Sequence, residues 1–387
     1  MESDRRTLRD LTCLTLITLI ITALVWIPHQ FRLNNFFNLD FSQGFSTIYR
    51  NFDGLEYIVI AKSLYNPQLI STLPLSLPAN YYAAHFPGFP LLVLFFAPLL
   101  GFLKSMLFVS LLSTAAAACA FYFLVRDFKL TTQPVWLTTA FLILPARWLI
   151  VHSVGSAEPT FILFVILALY FFMKFEGLKQ AKFIYLSAFF GLLAQLTRPP
   201  GILLFLALAL YVITKSYLGK KNIVKELLKY YPLLMIPLSL LAIFYLFQQT
   251  LGSFWAYFQS GDNIHLTLPP FAVFNKHQFW VGEIWLEDII YIFLLGFLGG
   301  LMLLKQRLYA LACFVLTYLA ATVFVAHRDI SRYALPVFPF VLIAFEKVVV
   351  SKEFKIALAI VSLAIYLYAQ NFILENTAPV ANLTPLN

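Results

Sequence analysis

The feature that most restricts this chain is the recurrence of apolar runs about as long as a bilayer is thick. Leu11 to Pro28 carries no charged side chain, and a helix needs ~20 apolar residues to cross hydrocarbon. Similar runs follow at 106–125, 132–151, 159–173, 183–197, 201–214, 232–250, 287–304, 308–326, 333–350 and 356–372. A backbone in lipid must satisfy its own N–H and C=O groups, so long uninterrupted runs read as helices. Composition agrees: 61% of the 387 residues are hydrophobic and 12% charged, against roughly 25% charged in soluble domains. The fold class expected is an all-α polytopic membrane protein. Linkers, low-complexity tracts and clear internal repeats are absent from the sequence, which reads as a single domain over residues 1–387. Cys13, Cys119 and Cys313 fall inside apolar runs and read as buried packing residues, not a disulfide frame.

The net charge of +9 fits basic cytoplasmic loops; nucleic acid is not an expected partner. Arg5, Arg6 and Arg9 precede the first run as in a secretory signal, but the run ends in VWIPHQ without a small-residue cleavage site, so a retained anchor is expected. A twelfth run, Pro87 to Leu103, sets the side of everything downstream. If it makes no net crossing, 18 of the 27 basic residues collect with the N-terminus; if it crosses, 9 do. The positive-inside bias selects the first arrangement. The expectation is therefore about eleven crossings, a helix at 87–103 that dips into the outer leaflet and returns, and a cytoplasmic N-terminus. The membrane would be the plasma membrane of a prokaryote or the endoplasmic reticulum of a eukaryote. The outer face then holds two long loops, 29–105 and 251–286.

That outer face gathers ionisable residues. In RNFDGLEYIVIAKSLY (50–65), Asp53 and Glu56 have capping-box spacing. Tyr57, Ile60, Ala61, Leu64 and Tyr65 then share a face, with Glu56, Lys62 and Ser63 away from it, which predicts an amphipathic helix on the outer membrane surface. Capping alone would account for Asp53. HFPGFP places His85 before a rigid turn. GSAEPT puts Glu158 at the mouth of a span, where a carboxylate also suits the helix dipole. TRPPG leaves Arg198 at a span end, where snorkelling is the plain alternative. AHRDISRYALPVFP is the densest group, with Arg328, Asp329, Arg332 and Tyr333. Arg328 and Arg332 would share a helical face, and their planar forks suit a phosphate or carboxylate. Pairing with Asp329 is the alternative. Carboxylates and arginines at one leaflet fit sugar transfer from a lipid phosphate. That reaction needs one base for the acceptor hydroxyl and cations for the departing phosphate.

Several of these segments resemble motifs of one enzyme family. NFDGLEYIVIAKSLY is similar to an acidic segment after the first span in the second mannosyltransferase family of GPI-anchor synthesis. HFPGFPLL resembles that family's FFPLYPLL, GSAEPTFILF its YSE turn, LTRPPGIL its TRSNG segment and SRYALPVFP its RYLLPVFP. The order and spacing agree over most of the chain. The resemblance implies membership of the GT-C superfamily of membrane glycosyltransferases, with a polyprenyl- or dolichyl-phosphate sugar as donor and an inverting mechanism. It implies Asp53 as the catalytic residue, with Glu158, Arg198 and Arg332 as donor or acceptor contacts. The resemblance implies a hexose, mannose first; the chain departs from the family's pattern with Phe52 where the family has Trp and TRPPG where it has TRSNG, and both departures bear on which sugar is used.

The expectation is that Asp53 deprotonates an acceptor hydroxyl on a glycan, lipid or protein. Glu56, His85 and Glu158 would line the sugar or acceptor pocket, and Arg332, Arg328, Arg198 and Tyr333 the donor side. No cofactor is called for beyond the lipid-linked donor; no acidic pair has clear metal-ligand spacing, and divalent-metal use stays open. The competing class is a membrane transporter or lipid-linked-saccharide flippase. Such proteins place ionisable groups near mid-span and often carry paired repeats. A purely structural scaffold would gain nothing from arginines near carboxylates.

Overall fold

A computed structural model describes residues 2–75, 77–261, 266–281 and 286–387. Parts of the second long loop, 251–286, therefore lie outside the described residues. Among the described residues the chain is helical, and strand-like pairing is limited to isolated bridges such as Asn51 with Thr377. In chain order the α-helices are α1 (Glu2–Gln30), α2 (Phe45–Tyr49), α3 (Gly54–Ser63), α4 (Pro67–Ile70), α5 (Gly88–Leu100), α6 (Phe102–Asp127), α7 (Pro134–Ile143), α8 (Ala146–Ser153), α9 (Glu158–Leu178) and α10 (Ala181–Thr197). They continue as α11 (Gly201–Leu218), α12 (Ile223–Leu227), α13 (Met235–Thr250), α14 (Glu287–Lys305), α15 (Tyr309–Thr322), α16 (Ile330–Tyr333), α17 (Phe338–Ala344), α18 (Glu346–Val349) and α19 (Lys352–Glu375).

Seven helices among the described residues are long and apolar enough to cross a membrane, and the bent pair α7–α8 would make an eighth. The chain is a multi-pass membrane protein. The apolar run at 132–151 forms that pair, bent by 77°, because Pro145 has no N–H to continue the helix and its ring restricts the residue before it. The run at 333–350 is helical only in short pieces around Pro336 and Pro339. The runs at 183–197 and 308–326 give helices of 17 and 14 residues, which are short for a ~30 Å hydrocarbon core.

The chain folds as two compact units, Met1–Leu163 with Glu346–Asn387, and Phe164–Phe345. In the first, α1 packs on α6, and polar contacts mark its two ends. At one end Tyr122 donates to Asp10 (2.9 Å) and Arg126 to Thr7 (2.9 Å). At the other, Trp26 Nε1 donates to the Ser153 carbonyl (2.7 Å) and His29 meets Gln370 (3.1 Å). The candidate residues of this unit lie toward the second end. α5 has 13 residues, about 20 Å at 1.5 Å per residue, too short to span. Gly101 (φ 76°) turns the chain directly into α6, which packs against α5. Leu91, Phe95 and Leu99 leave an exposed apolar stripe along α5.

α3 begins where the capping-box spacing places it, but it is no surface helix. Every residue from Gly54 to Ser63 except Lys62 is buried, so the amphipathic reading is corrected: both faces of α3 meet protein, chiefly α5, with α4 and α6 besides. Cys13 is also corrected, being exposed on α1 rather than packed; all three cysteines are free.

In the second unit, close approach through small residues replaces the hydrophobic effect, which gives no drive between helices already in lipid. Gly296 and Gly300 of α14 face α15, where an added Cβ would lie 2.7 Å from Leu319 Cδ1 or 2.5 Å from Leu316 Cδ2. Gly299 meets Val341 of α17 in the same way, at 3.1 Å.

Candidate functional site

The segment between α2 and α3 sets Asp53 at the helix entrance. Asp53 occupies the N-cap position, yet its side chain makes no capping hydrogen bond, so capping does not explain the residue. Its carboxylate Oδ1 instead lies 3.8 Å from Nε2 of His85. That is beyond hydrogen-bond length but within ion-pair range when the imidazole is protonated. Asp53 is part-exposed, and His85 is buried.

His85 is fixed from several sides. Its N–H donates to the Tyr82 carbonyl (3.0 Å), and its own carbonyl accepts from the Tyr65 hydroxyl (2.6 Å). The Tyr57 ring stands edge-on to the imidazole at 5.3 Å, and the Tyr81 ring is tilted against it at 5.6 Å. The rigid turn HFPG then starts α5, whose Phe89 packs on Tyr57 (5.0 Å). Tyr65 and Tyr82 are buried with His85, and burial pushes both hydroxyls well above the usual phenol range. For Tyr82 the nearby charge of Glu56 adds to that rise, which places the second acid of DGLE in the same neighbourhood. The Tyr82 hydroxyl and His85 Nδ1 are buried with no hydrogen-bond partner among the described residues. In a protein interior such groups cost free energy unless a ligand or water serves them.

Glu158 is fully buried at the first position of α9, ahead of Pro159. The turn before it, Gly155 and Ser156, packs directly on the α3 entrance. A Cβ on Gly54 would lie 3.1 Å from the Gly155 carbonyl and 3.0 Å from Met106 Sδ. The Ser156 N–H donates to Ser110 Oγ (3.2 Å), and Ser113 pairs with Thr160 (2.8 Å), tying the turn to α6. The first unit thus brings the DGLE, HFPG and GSAE segments to one end.

The remaining candidates belong to the second unit. Arg198 is buried and ends α10, with its N–H on the Ala194 carbonyl (3.1 Å) and its carbonyl accepting from Gly201 (3.0 Å). TRPPG is a tight reversal that requires glycine last, because a Cβ on Gly201 would lie 2.4 Å from Gln195 Cα. The Arg198 charge is felt at Tyr257, whose hydroxyl burial pushes up to about 12 while the guanidinium pulls it down.

Arg332 is buried in α16, but Arg328 is exposed ahead of that helix, with its guanidinium 5.7 Å from the Phe279 ring centre. The two arginines therefore share no helical face, because the helix starts only at Ile330. Asp329 holds the N-cap position, and its N–H donates to His327 Nδ1 (3.0 Å). The His327 ring packs on Tyr333 (5.3 Å) and Trp280 (6.2 Å).

Sequence reasoning missed Tyr81 and Tyr82, and placed Tyr65 only on a helix face. The signal was present in NYYAAHF, where two tyrosines precede the singled-out histidine. It also missed His327, beside the selected arginines. Among the described residues no group of three or more His, Cys, Asp or Glu gathers as a metal site. No protein-family model matches the chain, and no curated protein sequence matches it either.

Proposed function

We propose that the protein is a membrane glycosyltransferase that moves a hexose, mannose first among the candidates, from a polyprenyl-phosphate donor to an acceptor hydroxyl. The observation that carries the reading is Asp53: a carboxylate at a helix entrance it does not cap, 3.8 Å from a buried imidazole. A carboxylate beside an imidazole at a helix entrance has the chemistry of a general base. In the reaction the acceptor oxygen attacks the anomeric carbon as its proton passes to Asp53. The bond from the anomeric carbon to the phosphate oxygen breaks, and the configuration inverts. The lipid phosphate leaves as an anion, so no second carboxylic acid is required on the leaving side. The buried guanidiniums of Arg198 and Arg332 are assigned to that anion, since planar forks bind phosphate bidentately. Arg328, being exposed, is given a peripheral part, and Tyr333, next to Arg332 in sequence, is assigned to the donor side. Glu56, His85 and Glu158 are assigned to the acceptor side, where the Tyr82 hydroxyl, without a hydrogen-bond partner among the described residues, offers one further hydrogen bond.

The topology that goes with this reading has about eleven crossings, the N-terminus in the cytoplasm and α5 dipping into the outer leaflet. The length of α5 and its immediate reversal at Gly101 support the dip. The test is transfer from a panel of polyprenyl-phosphate sugars by purified protein, with Asp53→Asn as the control. The expected outcome is transfer by the parent and none above background by the variant, at equal expression and membrane insertion. Normal rates in Asp53→Asn would remove Asp53 from the chemistry.

A further inference from the structure

The loop before Asp53 and the far end of α3 are both tied to the last fifteen residues of the chain. Asn51 is fully buried two residues before Asp53. Its Nδ2 donates to the Ile373 carbonyl at 2.7 Å, and its Oδ1 accepts from Asn376 Nδ2 at 3.3 Å. The backbone repeats the link: the Ala378 N–H donates to the Arg50 carbonyl (2.8 Å), and Asn51 forms a bridge with Thr377. The Asn51 carbonyl in turn accepts from Gly54 N–H (3.2 Å), the first residue of α3. Phe52, between them, has φ 47°, a left-handed backbone that costs a side-chain-bearing residue free energy unless its surroundings enforce it. Its ring is stacked on Phe372 of α19 at 5.3 Å.

At the other end of α3, Lys62 donates from Nζ to the carbonyls of Pro385 (2.7 Å) and Asn387 (2.9 Å), and lies 4.7 Å over the Phe102 ring. Leu386 between those carbonyls is fully buried. A Cβ on Gly101 would lie 2.6 Å from Asn387 Oδ1, so the same residues also sit on the α5–α6 turn.

We infer that residues 373–387 form a strap that fixes the placement of Asp53, with Asn51 and Lys62 as the positioning residues where it grips the two ends of α3. This rests on the assignment of Asp53 as the base. Without the strap, the loop that carries Phe52 in its left-handed conformation would lose its bonds from Arg50 and Asn51 to residues 373–378, and relaxation there would swing the carboxylate away from His85. A base displaced by even an ångström loses much of its rate advantage while the substrate-binding groups stay in place. The signature is thus on turnover, not on affinity.

The experiment uses the full chain in lipid nanodiscs, with Asn51→Asp, Lys62→Met and the conservative Lys62→Arg. Asn51→Asp keeps the shape but sets a carboxylate against the Ile373 carbonyl; Lys62→Met keeps length and loses the donor. Amide hydrogen exchange is read over 51–63 and 377–387, alongside kcat and KM for the sugar donor. Both disruptive variants should raise exchange in those segments about tenfold, as expected for one lost buried or charged hydrogen bond. They should also lower kcat by about tenfold or more with KM nearly unchanged, and Lys62→Arg should restore both. Unchanged exchange over 51–63 in both disruptive variants would overturn the strap. Raised exchange with an unchanged kcat would overturn the positioning role. Raised exchange in a protein whose parent transfers no sugar would leave the strap standing and remove the glycosyl-transfer reading instead.

Discussion

Replacing Gly155 by alanine tests the packing of the Glu158 turn on Met106 of α6, the side chain that also meets Gly54 at the entrance of α3. The added methyl would lie 2.3 Å from Met106 Sδ, 2.5 Å from Cε and 2.6 Å from Cγ. Unstrained contacts between such atoms are ~3.5–4.0 Å, so the Met106 side chain must swing away. A thioether has the freedom to do so, but Met106 is fully buried and any new rotamer enters occupied space. Overpacking of this kind costs ~1–3 kcal/mol. Opposing it, Gly155 is not in the left-handed region, so alanine gains ~0.4–1 kcal/mol from a less flexible unfolded chain. The steric cost wins, and Gly155→Ala should destabilise by about 1–2 kcal/mol. In a Met106→Ala background the same methyl enters the space vacated by the thioether, so the sign should reverse. Denaturant unfolding of the four purified proteins in detergent, followed by tryptophan fluorescence, gives the cycle; the coupling expected is at least ~1 kcal/mol. Equal effects of Gly155→Ala in the two backgrounds would refute the packing argument.

Four other outcomes are expected. Tyr65→Phe removes a 2.6 Å bond to the buried His85 carbonyl and should cost ~1–3 kcal/mol in the same unfolding assay, because that carbonyl loses its donor. Tyr82 has its hydroxyl pKa raised by burial and by Glu56. Stability carried by its neutral form is therefore complete below ~10 and lost as pH rises through the folded-state value. Tyr82→Phe should flatten the alkaline decline of the thermal midpoint, and an unaltered decline would count against that assignment. Gly300→Ile drives a branched side chain into Leu316, 2.5 Å from the Cβ position, and should lower the thermal midpoint more than Gly177→Ile, where the Cβ meets nothing within 4 Å. Arg332→Gln should depress transfer far more than Arg328→Gln, since only Arg332 is buried; equal losses in a donor-saturation assay would argue against a buried phosphate clamp.

Helix content was legible because spanning helices carry their signal in bulk composition, and α1, α6, α9, α14 and α19 cover the runs that announced them. The failures come where tertiary contact overrides a local pattern. The stretch 54–65 has the spacing of a surface helix, but Glu56 and Ser63 on its polar side are buried all the same. Nothing within that stretch announces that α5, α6 and residues 384–386 cover it, because those partners are distant in sequence. Arg328 and Arg332 are four apart, yet only the second is inside a helix; the i,i+4 rule assumes a helix that His327 and Asp329 interrupt with a local bond of their own. The candidate acids were findable because a carboxylate in an apolar sequence is conspicuous. Their supports were not: Asn51, Gly155 and Met106 are ordinary residue types whose importance lies in what they touch. The same asymmetry bears on Asp53 itself. Its sequence context offered capping and catalysis as competing explanations, and the absence of a capping hydrogen bond from its side chain, with the carboxylate 3.8 Å from a buried imidazole, weakens the first without requiring any motif at all.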